Sequence, residues 1–118
     1  MTNNDNPIGN IYISNRAIAT IASQSALESY GVVGLAAKNL VKGLTSALVR
    51  DPMLGIDVHY DDHMIGIDLY IIIEYGTRIS EVAASVAETI RYKLERILGV
   101  PVKYVNVHVR GLRISNPD

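Results

Sequence analysis

Hydrophobic and polar residues alternate in three stretches of the chain: Gly55–Tyr60, Met64–Tyr75 and Val102–Val109. A period of two places successive side chains on opposite faces, which is typical of a half-buried β-strand. An Asp-Asp-His turn at residues 61–63 separates the first two stretches. These two strands are therefore predicted to pair as an antiparallel hairpin.

The strongest helical pattern runs from Ile79 to Leu98. Apolar residues recur there at every third or fourth position and form one stripe, while charged residues occupy the other side. Gly99 is suited to end the helix, because glycine readily adopts the left-handed conformation of a C-terminal cap. Thr77 or Ser80 is predicted to cap its start through a hydroxyl oxygen.

The first part of the chain predicts two short strands around a second helix. Ile8–Ile13 and Val32–Ala36 are the strand candidates. Ser14 is predicted to cap the helix between them, and Gly31 is predicted to stop it.

The segment Lys38–Val49 has a third helical pattern. Gly43 weakens it by about 1 kcal/mol relative to alanine. Asp51-Pro52 is predicted to end this helix, because proline biases the residue before it away from helix. A loop with one or two helical turns is the alternative.

The resulting order, β-α-(β)-α-β-β-α-β, predicts an α+β fold in which helices cover one face of a small, mostly antiparallel sheet. The length of 118 residues corresponds to one domain. We expect a disordered lead over residues 1–7, the domain over 8–112 and a frayed tail over 113–118.

Composition excludes several kinds of chemistry. The chain has no cysteine, so disulfides, thiol catalysis and zinc–thiolate sites are ruled out. Eleven basic residues against twelve acidic ones give a net charge of -1, so no general attraction to nucleic acid or anionic lipid is expected. Glycine-rich phosphate loops and nucleophile-elbow motifs are absent from the sequence, and no apolar run is long enough to cross a bilayer. We predict no catalytic residues and no cofactor, and a cytoplasmic location.

Two histidines four residues apart, His59 and His63, are the weak candidates for a metal site. Aspartates surround them, but residues on a strand end and turn are not brought together by this spacing as they would be on a helix. A solvated, Asp-rich turn is the favoured interpretation. His108 joins these histidines only if its strand runs beside the hairpin.

One face of the predicted sheet carries aromatic and polar side chains that the helices do not cover. Asp68, Glu74 and His108 on this face are read as a polar layer, since nothing in the sequence fixes their distances. An ordinary solvated face and a protein contact surface are both compatible with this pattern. The candidate contact residues are Tyr70, Ile72, Tyr104, Asn106 and His108.

RNA binding through the same face is a third possibility, because aromatic residues on an open sheet can stack on bases. Asp57, Asp68 and Glu74 would lie on that face and repel phosphates. We therefore expect no nucleic acid partner.

Several short segments of the chain resemble the bacterial alkaline-shock-protein family, also called general or envelope stress proteins. Their order and spacing extend over residues 8–112, and Asn106 stands where the family usually has an asparagine. A buried asparagine in a strand would satisfy neighbouring backbone groups. These segments are Gly9–Ile13, Ile18–Ala22, Gly31–Leu35, Asp68–Gly76, Ile79–Ala83 and Val105–Val109.

The resemblance implies a non-enzymatic, cytoplasmic protein induced by alkaline or envelope stress that acts through protein contact and self-association. One branch of the family is tethered to the membrane by a small anchor protein. A shorter branch, which this chain resembles because it lacks long charged extensions, is encoded beside a kinase-like protein related to dihydroxyacetone and fatty-acid kinases. The implied partners are thus another copy, an anchor protein or such a kinase, without direct membrane insertion.

Overall fold

A computed structural model describes residues 13–39, 48–61 and 63–114 of the chain. These residues form a five-stranded sheet and three helices, which confirms the α+β prediction. The elements, in chain order, are α1 (Asn15–Leu27), β1 (Val32–Ala36), β2 (Leu48–Val49), α2 (Pro52–Gly55), β3 (Ile56–Asp61), β4 (Met64–Glu74), α3 (Ile79–Leu98) and β5 (Val102–Arg113).

Strand β4 is the centre of the sheet. On one edge it pairs in parallel with β5 from Ile65 to Glu74. Its other edge is shared by two antiparallel strands: β3 pairs with residues 64–69, and β1 pairs with residues 71–73. Strand β2 extends the sheet beyond β1. The predicted hairpin of β3 and β4 is confirmed, and β4 has neighbours of both orientations.

The hydrophobic core lies between the sheet and the helices α1 and α3. Every second side chain of β4 points into it and is fully buried, as the alternating pattern requires. The predicted apolar stripe of α3 packs on these side chains with Val86, Ile90 and Leu94. The core residues of β4 are Ile65, Ile67, Leu69, Ile71 and Ile73.

The helix ends agree with the sequence at two of four positions. The Ser14 hydroxyl accepts a hydrogen bond from the Ala17 amide at 3.0 Å, and Gly99 ends α3 in the left-handed region with φ 69°. The prediction that Thr77 or Ser80 caps the start of α3 is wrong. Arg78 occupies that position without a side-chain cap, and the Thr77 hydroxyl donates to the Glu74 carbonyl instead. Helix α1 ends at Leu27, before Gly31, where the chain turns with φ 88°.

The predicted helix over Lys38–Val49 is wrong at its end, because Leu48 and Val49 pair with β1 as a strand. Residues 40–47 lie outside the described part of the chain. Asp51 begins a helix rather than ending one: its carboxylate accepts from the Met53 amide at 3.0 Å and caps α2. Proline suits the first turn of a helix, where its missing N–H has no partner to lose.

Both ends of the predicted domain fall partly outside the described residues. The strand predicted over Ile8–Ile13 lies there except for Ile13, which is not in a strand but accepts a hydrogen bond from the Tyr60 hydroxyl. At the other end β5 is longer than predicted and continues past Val109 to Arg113, whose carbonyl accepts from the Tyr75 amide.

Candidate interaction surface

The face of the sheet that points away from α1 and α3 presents polar and aromatic side chains from three adjacent strands. We call this surface the open face. Strand alternation places these side chains opposite the core residues of the same strands. Its accessible members are Asp57 and His59 of β3, Asp68 and Tyr70 of β4, and Tyr104, Asn106, His108 and Arg110 of β5.

Asp68 is the centre of the open face. Its carboxylate accepts a hydrogen bond from Asn106 Nδ2 at 3.3 Å and lies 3.0 Å from His108 Nε2. On the other side, His59 Nε2 lies 3.2 Å from the second carboxylate oxygen. One acidic side chain of the central strand therefore connects both flanking strands.

Partners also neutralise a like-charge pair within the sheet. Asp57 lies directly opposite Asp68 in the β3–β4 register, an arrangement that would be destabilising if both charges were uncompensated. Lys38 Nζ lies 2.7 Å from the Asp57 carboxylate, while His59 and His108 flank Asp68. Burial raises the pKa of Asp68, but hydrogen bonds from His108 and Asn106 and the nearby histidine charges outweigh it, so the pKa is lowered overall.

Aromatic and cationic groups stack beside this cluster. The rings of Tyr70 and His108 are parallel within 14°, with centroids 4.5 Å apart. The Arg110 guanidinium carbon lies 4.7 Å from the Tyr70 ring centroid, within the range of a cation–π contact. Arg110 Nε is buried and has no hydrogen-bond partner among the described residues. Stacking thus holds Tyr70 in one orientation on the surface.

Tyr104 lies flat against the sheet because its neighbour in β4 is a glycine. A Cβ atom added at Gly66 would lie 2.3 Å from the Tyr104 ring carbon Cζ, far inside van der Waals contact. The absence of a side chain at Gly66 therefore creates the seat for this ring. His59 lies on the far side, with its ring centroid 6.5 Å from that of Tyr104.

One of the five predicted contact residues, Ile72, differs from expectation. Ile72 points to the open face but is fully buried. The residues aligned with it in β1 and β5 are Gly34 and Gly111, and the Leu48 side chain lies over Gly34. Asn106 is exposed rather than buried, and its side chain serves Asp68 instead of backbone groups.

The sequence analysis placed Tyr70, Tyr104 and His108 on one face, but it did not include Asp68, His59 or Arg110 in the contact set. Arg110 could not be placed from the alternating pattern, because the β4–β5 register shifts between Ile71 and Ile72. The aspartate was visible as a lone carboxylate within an apolar strand. Its partners depended on a register that the sequence does not reveal.

The histidine pair expected as the weak metal candidate is not the pair that converges. His108, rather than His63, joins His59 at Asp68, and His63 lies in the hairpin turn with φ 67°. Within residues 13–39, 48–61 and 63–114, no three His, Asp or Glu side chains are arranged to hold a metal ion.

The open face is not an enclosed site. A concavity of about 440 Å³ lies beside it, between the outer edge of β5 at Val105–His108 and the alanines of α3, and it is open to solvent. General acid–base catalysis benefits from groups held in a cleft that excludes water. This geometry suits recognition of another surface better than bond-making.

Removal of the Asp68 charge is expected to cost stability in a pH-dependent manner. Because its pKa is lowered in the folded state, the ionised carboxylate stabilises the fold above its unfolded pKa of about 3.9 and loses this contribution as the pH falls through the lower folded value. We expect Asp68→Asn to lower the free energy of unfolding by about 1 kcal/mol at pH 5, with a smaller difference at pH 2.5.

Urea denaturation at both pH values measures this difference. Glu88→Gln removes the same charge from the exposed side of α3 and is the matched control. Equal costs of Asp68→Asn at pH 5 and pH 2.5 would contradict the proposed stabilising role of the carboxylate.

Comparison with known proteins adds a family and several relatives. The family of alkaline shock protein 23, described as having a cell envelope-related function, matches residues 3–114. The uncharacterized protein YloU of Bacillus subtilis is 43% identical over 111 residues, which cover 92% of each chain. The uncharacterized protein Spy1614 of Streptococcus pyogenes is 36% identical over 108 residues, covering 90% of this chain and 89% of that one.

Solved structures of similar fold are more distant in sequence. The copper form of MamM CTD superposes with a TM-score of 0.53 at 13% identity, covering 88% of this chain and 92% of that one. A likeness at this identity concerns the fold alone. No helix in the described ranges is both long enough and apolar enough to span a lipid bilayer.

Proposed function

The chain belongs to the family of alkaline shock protein 23, of cell envelope-related function, and from this premise we propose that it is a non-enzymatic interaction protein. The open face is the contact surface for a protein partner, and the chain also associates with itself. It acts from the cytoplasm and reaches the envelope only through such a partner.

The observation that carries this proposal is the rigid, accessible arrangement of aromatic and polar groups around Asp68. Tyrosine and arginine are enriched in protein interfaces, where they combine large contact area with hydrogen-bonding ends. Tyr70 is held by His108 and Arg110, so it loses little conformational freedom on binding.

The charge of the open face further favours a protein over nucleic acid. Asp57 and Asp68 occupy its centre, and the neighbouring Lys38, His59 and His108 side chains are already engaged with them. Phosphate contacts need cations that are available to the backbone of the nucleic acid. Polar side chains with both signs of charge suit a partner surface of mixed charge.

A photo-reactive phenylalanine analogue placed at Tyr70 should cross-link a discrete partner in the native bacterium. The same analogue at Tyr92, which is 58% exposed on α3, is the matched control. We expect an adduct at Tyr70 whose mass differs from that of two copies of the chain. We expect no such adduct at Tyr92. Gel mobility and mass spectrometry identify it.

Two results would contradict the proposal. Identical adducts at Tyr70 and Tyr92 would indicate non-specific proximity, and no adduct at Tyr70 under stress or unstressed growth would leave the open face without a partner. Asp68→Asn, added to the Tyr70 probe, should weaken the specific adduct because it loosens the neighbouring side chains.

A further inference from the structure

The outer edge of β5 has no strand beside it among the described residues. β5 pairs with β4 on one edge only, although it is twelve residues long. The carbonyl of Pro101 accepts from Ile65 in β4, so the backbone groups of odd-numbered residues near the start of β5 point inward. The β4–β5 register shifts by one residue between Val102 and Tyr104, so beyond this shift the backbone groups of Asn106 and His108 face β4, whereas those of Val105 and Val107 point outward.

Helix α3 satisfies the first outward groups of β5 but not the following ones. The Val102 amide donates to the Glu95 carboxylate, and the Val102 carbonyl accepts from the Arg91 guanidinium. One and two turns before Arg91 and Glu95, alanines occupy the same flank of the helix. Ala83, Ala84 and Ala87 leave a trough of about 440 Å³ along Val105–His108. The trough therefore exposes both the strand edge and the sides of its valines.

We propose that the edge of β5 that faces away from β4 pairs antiparallel with β5 of a second copy of this chain, which joins the two sheets into one. The pairing is isologous, since each chain contributes the same edge and the same alanine flank to a twofold interface. This inference rests on the self-association part of the proposed function and assigns it to the outer edge of β5, which adjoins the open face at Asn106 and His108.

The sequence of β5 makes it a suitable partner for itself. Val105, Val107 and Val109 alternate with polar residues, so a second β5 supplies valines on the core side and polar groups on the open face. In a register centred on Val107, Lys103 lies opposite Gly111 and no two cations face each other. Such a register also places Asn106 opposite His108 of the other copy.

Other features that usually protect an exposed edge are missing from the middle of β5. Proline, an inward-pointing charge or a covering segment would discourage pairing. Residues 104–109 contain no proline, lysine, arginine or acidic residue, and the alanine flank does not cover them. The short side chains of Ala83, Ala84 and Ala87 also let a second helix approach closely across the seam.

Substitution of one residue can remove an outward donor without disturbing the β4–β5 pairing. Val107→Pro deletes an N–H that points away from β4, a position at which edge strands accept proline. Val107→Ala is the matched control, because it removes the same valine side chain but keeps the N–H. Sedimentation equilibrium of the full chain at about 1–100 µM covers the range of moderate interfaces.

We expect a dimer for the unaltered chain, at least about a tenfold weaker dimer for Val107→Pro, and less than about a threefold change for Val107→Ala. Thermal unfolding of each variant verifies that the monomer is folded. A monomeric unaltered chain, or equal dissociation constants for Val107→Pro and Val107→Ala, overturns the proposal.

Cysteine cross-linking tests the same geometry without depending on a proline. The chain has no cysteine, so a single introduced one has no internal partner. Val107→Cys should form an intermolecular disulfide under mild oxidation, because residue 107 lies opposite itself across the twofold axis, with Cα atoms about 4.5–5.5 Å apart. Ser85→Cys, exposed on α3, should remain largely reduced.

Equal cross-linking at Ser85, or none at residue 107, overturns the proposal. Preferential capture of an extended peptide from another protein along this edge also overturns it, because the occupant is then not a second copy. In each of these cases the Tyr70 adduct remains an independent readout of the proposed function.

Discussion

Ile72→Ala is expected to lower the free energy of unfolding by about 2–5 kcal/mol, as much as the neighbouring core substitution Ile71→Ala. Both side chains are fully buried, although they point to opposite faces of β4. Truncation removes apolar contacts and leaves a cavity that the surrounding sheet fills only partly. Thermal or urea unfolding measures the loss.

The result separates two views of the open face. If Ile72 were an accessible contact residue, its truncation would change stability by less than about 0.5 kcal/mol, as we expect for Ile97→Ala on the exposed side of α3. A cost near that of Ile97→Ala would contradict the burial of Ile72. A large loss of unfolding free energy means that Ile72 is not accessible. Tyr70 is then the accessible residue of β4 nearest to it on the open face.

Gly66→Ala is expected to destabilise the protein by about 1–3 kcal/mol because the added methyl group collides with the Tyr104 ring. The backbone at Gly66 does not have a positive φ, so alanine is otherwise compatible with this strand position. In a strand, alanine is normally favoured over glycine by about 0.5–1 kcal/mol. The collision therefore reverses the usual sign.

A double-mutant cycle tests this cause directly. In a Tyr104→Ala background the ring is absent, and Gly66→Ala should then be neutral or slightly stabilising. The two substitutions should thus show an interaction energy of at least about 1 kcal/mol. Equal effects of Gly66→Ala in both backgrounds would contradict the ring collision and point to a backbone cause.

Elements with strong local patterns were predictable from the sequence. The bounds of α3 and β1 agree with the prediction, and the β3–β4 hairpin forms as its alternating residues require. In these elements, local propensity, hydrophobic period and turn chemistry all favour the same structure. The cap of α1 at Ser14 belongs to the same class, since it depends on residues three positions apart.

Features that depend on distant partners were not predictable. Strand β2 has only two residues, too few for any period, and exists because β1 pairs with it. Asp68 and its partner His108 are separated by 40 residues and meet only through the parallel β4–β5 register. The burial of Ile72 likewise was not visible in the alternating pattern of β4.

The Asp68 cluster has a consequence for how the chain selects one alignment of its strands. The valines of β5 recur at every second position, so sliding β5 by two residues along β4 would still present valines to the core. Apolar packing alone hardly distinguishes these alignments. Only one of them brings His108 and Asn106 together to the carboxylate of Asp68. A single charged residue thereby discriminates the native alignment from its nearest competitors.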